Sequence, residues 1–262
     1  MTSEATPAPV QNTRVQEALA TWAERKDPQT HSEVLRTAFA GQLLLDITGS
    51  EIADPQHPLQ EGDRLVVTSV SDGEEKDLLL AFTDNARLAA YSQHEDPLSL
   101  AQPAAGALTQ SREHHDGIAI DAGTPGAFVA YADEIQRAAG DDPASAARIA
   151  TALVDGGVQI DEFVRILREG VVYVGGQPVT DDDGDTIGYS VLTATRPDGA
   201  RLHALFSCPA EVWALAPDAV AQPATLDRVI DSAAEGEMSG IVVNPAGPAA
   251  ELPLDWFERG DG

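Results

Sequence analysis

The chain has 262 residues, with 16 basic and 43 acidic side chains and a formal net charge of −27. Phosphate backbones and anionic lipid surfaces are held by clustered Lys and Arg, and the chain has just two lysines, Lys26 and Lys76, so nucleic acid and membrane are excluded as partners. A single cysteine, Cys208, rules out an internal disulfide framework and a cysteine zinc cluster.

From the N-terminus, residues 1–12 are polar and lack the basic start and apolar core of a signal peptide. They read as a disordered tail, and the expected compartment is the cytoplasm. Val15, Ala18, Leu19 and Trp22 recur at helical spacing, and Pro28 closes that stretch. Thr30 and Glu33 form a capping-box pattern before the stripe Val34, Leu35, Ala38 and Phe39, which stops at Gly41. Strands are expected at 43–47, 64–70 and 77–83, the last two joined through Asp72-Gly73, a dipeptide suited to a hairpin turn. A short helix at 86–91 and a strand at 117–121 follow. A closing helix carries Phe128, Tyr131, Ala132 and Ile135.

Past residues 139–143 the order begins again. Asp142 and Pro143 suit the Ncap and N1 positions of a helix. The stripe Ile160, Phe163, Val164 and Leu167 ends at Gly170. Strands are expected at 171–174, 188–195 and 201–207, with Asp198-Gly199 between the last two, then a short helix at 210–215. A second helix, clear only in this half, has Leu226, Val229, Ile230 and Ala233 on one face. The strand 240–244 and a closing helix with Leu254, Trp256 and Phe257 complete it.

The halves correspond in order. Phe82 and Phe206 lie 124 residues apart, Gly117 and Gly240 lie 123 apart, and Asp72-Gly73 matches Asp198-Gly199. The chain therefore reads as two copies of one α+β unit, residues 13–140 and 141–262, each a small mixed sheet covered by helices. Both are acidic: 22 acids against 9 bases give −13 up to Gly140, and 21 against 7 give −14 beyond it.

No convergent catalytic set emerges. Asp181-Asp182-Asp183-Gly184-Asp185 resembles the start of a calcium loop, but a loop of EF-hand type needs Gly sixth and Glu twelfth, where this chain has Thr186 and Leu192. A solvated loop is the preferred reading. His114 and His115 are adjacent in Glu113-His114-His115-Asp116 and so point apart, whereas zinc ligands on a helix sit three or four residues apart. His94-Glu95-Asp96 has no second histidine near it, and His31, His57 and His203 are isolated; all six histidines read as ordinary polar or capping residues. Cys208 stands between a strand and a helix, where amide dipoles lower a thiol pKa. Its counterpart in the first copy is Asp84, however, so the position reads as a cap. Trp22, Trp213 and Trp256 fall on apolar helical faces, with Trp256 a candidate for partial exposure at an interface.

Leu79-Leu80-Ala81-Phe82-Thr83, the following Asn85-Ala86-Arg87-Leu88 helix start, and Gly240-Ile241-Val242-Val243-Asn244-Pro245 together resemble the SseB N-terminal domain. The first copy departs from the family's Asn-Pro ending with Asp121-Ala122, and the second has Ser207-Cys208 after Phe206. The resemblance implies an architecture, in two copies over most of the chain, and no activity. The expected function is a non-enzymatic, acidic protein-interaction module. Its expected partner is another protein, with a basic one as the candidate; no cofactor is called for, and no catalytic, cofactor-binding or metal residue is assigned. The alternative is a carboxylate- or metal-dependent hydrolase with a site in the groove between the copies.

Overall fold

A computed structural model describes residues 10–53, 60–94, 96–181, 183 and 185–258. The first half runs α1 (Thr13–Glu24), α2 (Pro28–Thr37), β1 (Gln42–Asp46), β2 (Ser69–Ser71), β3 (Asp77–Phe82), α3 (Asn85–Tyr91), β4 (Ser99–Pro103), α4 (Ala104–His114), β5 (Gly117–Ile120), β6 (Phe128–Tyr131) and α5 (Ala132–Ala139). The second runs α6 (Pro143–Asp155), α7 (Ile160–Glu169), β7 (Val172–Thr180), β8 (Thr186–Val191), β9 (Thr193–Thr195), β10 (Arg201–Leu205), α8 (Pro209–Leu215), β11 (Val220–Ala224), α9 (Leu226–Glu235), β12 (Gly240–Val243), β13 (Ala250–Pro253) and α10 (Asp255–Glu258). The fold class is α+β.

Two compact units divide these elements. The first holds α1, β1 to β6, α3, α4 and the start of α5. The second holds α2, the end of α5 and every element after it. Helix α2 thus lies early in the sequence yet packs in the second unit, against α8.

In the first unit the strand order is β4-β1-β3-β5-β6, and β2 also pairs with β3. Leu78 to Phe82 of β3 are all buried, as expected of a strand covered on both faces. Leu44, Leu78, Leu80, Phe82, Leu88 and Ala119 form one apolar cluster of this unit. The second unit has the matching strands in two sheets, β13-β12-β10-β9 and β11-β7-β8. The β1–β3 pairing of the first copy, Leu44 opposite Phe82, survives as one bridge between Tyr173 and Phe206. One core here gathers Phe163, Leu167, Leu205, Leu226, Val229 and Ile241, and another gathers Tyr173, Leu202, Ala204, Phe206 and Val212.

Several sequence expectations shift. The first closing helix begins as a strand: Phe128 and Ala130 point inward while Val129 is exposed, the alternation of a half-buried strand, whereas the second is helical at Asp255–Glu258 and follows a strand that was not expected, β13. β6 and β13 then pair with β5 and β12. β4 and β11, each containing a proline, were not expected, and they close one flank of β1 and β7. Helix α4 was missed because its buried residues include Ala104, Ala107 and Ser111, which leave little apolar periodicity. The capping box of α2 starts at Asp27, whose carboxylate accepts from the Thr30 amide at 2.9 Å while the Thr30 hydroxyl accepts from the Asp27 amide at 3.2 Å. Thr30 is therefore the third helical residue. The strand expected at 64–70 is confined to Ser69–Ser71, and the one expected at 188–195 is broken at Leu192, which bonds across to Gly175 and Ala204.

The glycine that opens the Gly-Ile strands has a steric cause. A Cβ on Gly117 would stand 2.3 Å from the Ala130 carbonyl oxygen, and one on Gly240 would stand 2.6 Å from that of Leu252. The neighbouring backbone leaves no room for a side chain in either copy. Gly117→Ala and Gly240→Ala are each expected to lower stability by about 1–3 kcal/mol in denaturant unfolding. Gly106→Ala, in α4 with open space around the added methyl, is expected to raise it by roughly 0.5–1 kcal/mol.

Candidate functional site

Each unit has one parallel strand pair among the described residues, β3 with β5 and β10 with β12. Beyond the carboxyl ends of parallel strands is where open α/β sheets place ligands, so these ends define the candidate site. In both units they are occupied by the protein's own side chains.

In the first unit Asp121 follows β5 with a left-handed φ of 50°. Its carboxylate accepts from the Thr83 amide at 2.8 Å and from the Thr83 hydroxyl at 2.7 Å. The Asp121 amide donates to the Ala81 carbonyl at 2.9 Å. In the second unit Asn244 also has a φ of 50°. Its side-chain oxygen accepts from the Ser207 amide at 2.8 Å, its Nδ2 donates to the Ser207 hydroxyl at 2.9 Å, and its amide donates to the Leu205 carbonyl at 2.8 Å. All four residues are buried. Asp and Asn are the side chains that best tolerate the left-handed region, which explains why the family pattern ends in Asn here. The Asp121 departure keeps both the backbone geometry and the bonds.

The surroundings have diverged in charge. In the first unit Asp84 caps α3 by accepting from the Arg87 amide at 2.8 Å, and the Gln16 side chain donates to it at 2.7 Å. Arg87 pairs with Asp84 and lies 3.1 Å from Asp121. Residue Glu211 stands 124 positions after Arg87, so the second copy carries the opposite charge there. Glu211 is buried, and Arg36 of α2 approaches it at 3.7 Å. Arg36 also donates to Glu33 at 2.6 Å and to the Ala246 carbonyl at 3.0 Å. This Arg36–Glu211 pair had no signal in the sequence, because its partners are far apart in the chain and belong to different copies.

The site chemistry is correspondingly quiet. Burial raises the Asp121 pKa, opposed by the Thr83 hydrogen bonds and the Arg87 charge. Cys208 is buried, and burial together with the Glu211 charge pushes its thiol up to about 12. The amide dipoles at the start of α8 are outweighed, and Cys208 occupies the N-cap position without a side-chain capping bond.

The remaining sequence candidates are dispersed. His203 is buried on β10, its Nδ1 bonded to the Ala204 carbonyl at 3.1 Å and its Nε2 facing the Ser232 hydroxyl at 3.3 Å. Burial lowers its pKa, so the ring is held neutral. His115 meets Asp77 at 2.8 Å. His57, Glu95, Asp182 and Gly184 lie outside the described residues. Asp181 accepts from the amides of Asp183 at 3.1 Å and Asp185 at 2.9 Å, the arrangement of a turn. No group of three or more His, Cys, Asp or Glu among the described residues is placed to hold a metal ion. Trp22 donates to the Ala127 carbonyl at 3.3 Å, Trp213 is partly buried against the Phe206 cluster, and Trp256 is exposed. No helix of the described residues is long and apolar enough to cross a membrane.

The family model for the SseB protein N-terminal domain matches residues 15–137 and again 147–255. The chain belongs to this family, as two tandem copies of the domain. No curated protein and no solved structure matches it.

Asp121→Ala leaves the Thr83 amide and hydroxyl buried without their partner and is expected to cost about 1–3 kcal/mol. Asp121→Asn, which copies the second unit, is expected to be tolerated. Burial holds the Asp121 pKa above its unfolded value, so its ionisation opposes folding at neutral pH and that opposition fades as pH falls through the folded pKa. The Asn variant should therefore match or exceed the parent in stability at pH 7, with the difference shrinking toward pH 4. Urea unfolding at both pH values checks the sign.

Proposed function

We propose that the chain is a non-enzymatic protein-interaction module, acting in the cytoplasm, whose acidic surfaces engage a basic protein partner. One observation carries the reading. Among the described carboxylates only Asp46, Asp121 and Glu211 are buried, and each has an internal occupation. Asp46 accepts from the Thr48 amide and hydroxyl, Asp121 holds Thr83, and Glu211 faces Arg36. The other described acids are half-buried or exposed. A hydrolase of the carboxylate or metal type needs acids that converge and are poised by burial, so this distribution favours an electrostatic role.

The chain's own cations do little to offset the field. Arg36, Arg87, Arg148, Arg165, Arg168 and Arg196 are all engaged by carboxylates of the same chain. What is left over is negative in both copies. Such a field steers basic partners and repels polyanions such as nucleic acid and anionic membranes.

Affinity purification from cell extract at low and at high salt tests the reading. A protein partner is expected to be retained at low salt and released at high salt, as screening shortens the range of the field from ~10 Å at 0.1 M to ~3 Å at 1 M. Recovery of no protein partner under either condition would overturn it.

A further inference from the structure

Strand edges separate one place in the molecule from the rest. An exposed edge presents free amides and carbonyls, and proteins usually blunt it with proline, shortness or charge. Edge strand β4 ends in Pro103, β11 contains Pro223, and β13 ends in Pro253. β2 and β9 have 3 residues each, and β6 has 4. β8, the outer strand of β11-β7-β8, has 6 residues and no proline, and its ladder is regular from Val191 to Gly188 before a register shift that leaves Ile187 without an opposite residue. Among the described residues β7 alone pairs along it.

The β7–β8 ribbon also outruns its sheet. β11 covers β7 from Val172 to Gly176, while β7 continues to Thr180 paired with β8. A two-stranded ribbon is marginal in water. Pro178, which has no amide proton, closes the β7 side of this extension. On β8 the register leaves groups free: the Leu192 amide bonds to Gly175, which makes Gly176–Val191 a non-hydrogen-bonded pair. The backbone groups of Val191, and of Tyr189 two residues earlier, then face away from β7. Exposed apolar side chains accompany this edge, with Ile187 at 67%, Val179 at 42% and Val191 at 37%. From Glu169 to Thr195 there is no Lys or Arg, and Asp181, Asp183 and Asp185 lie at the turn of the ribbon.

We propose that the open edge of β8 is a docking strand for an extended segment of a partner protein, with basic and aliphatic residues alternating, which adds as a further strand. The backbone of Tyr189 and Val191 supplies the ladder, Ile187 and Val191 supply apolar contact, and the aspartates at the turn select for Lys and Arg. The charge complementarity disfavours a second copy of this acidic chain as the occupant. This proposal rests on the acidic interaction reading above and gives it a location.

The probe is a capped heptapeptide of alternating Lys and Val, with a Glu–Val counterpart as control, titrated into the full-length isotope-labelled protein at low salt. Saturable binding of the Lys peptide alone is expected, with amide shifts centred on residues 187–191. Tyr189→Pro, which blocks an outward amide without removing a bond to β7, should weaken it at least tenfold. The double variant Asp181→Asn, Asp183→Asn keeps the side-chain oxygen acceptor at position 181 and the backbone ladder, and should flatten the salt dependence. Binding of the Lys peptide with shifts elsewhere, unchanged in these variants, would overturn the β8 site and leave the acidic interaction reading standing. No binding of the Lys peptide would overturn the β8 site, while the acidic interaction reading is decided by the purification at two salt concentrations.

Discussion

A Thr or Ser after one parallel strand, hydrogen-bonded to an Asp or Asn after its neighbour, sets the frame for everything else in each unit. Parallel neighbours are never joined by a tight turn, so their ends need another tie. Thr83 with Asp121, and Ser207 with Asn244, provide it through two hydrogen bonds apiece plus a backbone bond from the left-handed residue. Being buried, these polar groups stabilise only because each is satisfied by the other. The position where an open sheet would receive a ligand is filled by the protein itself, in both copies.

Around this shared tie the copies have gone separate ways. The first keeps one continuous sheet, while in the second the corresponding pairing has shrunk to a single bridge and β7 pairs outward with β8. Charge has inverted from Arg87 to Glu211. In the first unit the cation is about one-third exposed and its pairing adds little to stability. In the second, the buried Glu211 is faced by Arg36 on a helix from the other half of the sequence. Removing one member of a buried pair is far costlier than never having had it, so the placement of α2 and the identity of residue 211 are coupled.

Much of this fold was legible in the residues. The ordered matches from Phe82 to Phe206 and Gly117 to Gly240 revealed the repeat, and Asp142, Pro143 and Asp84 marked helix starts where α6 and α3 begin. Elements failed to show where apolar periodicity was weak or ambiguous. Four residues such as Phe-Val-Ala-Tyr followed by Ala and Ile fit a helical spacing as well as a strand, and the sheet decides between them. β4 and β11 hide behind prolines that only an edge strand tolerates. The tie at the strand ends is half visible: the second copy keeps the Asn-Pro pattern, and Asp121 departs from it in residue type while sharing the φ and the bonding role of Asn244. The Arg36–Glu211 pair and the open β8 edge depend on tertiary placement and leave no local trace.

Native-state hydrogen exchange read at the Thr83 and Ser207 amides tests the central claim most directly, since both donate into the tie. If the strand ends are locked in each copy, both amides belong to the slowest-exchanging class and open only with their unit. Exchange of either at the rate of surface loops would mean that the strand ends stand open, and would contradict the account.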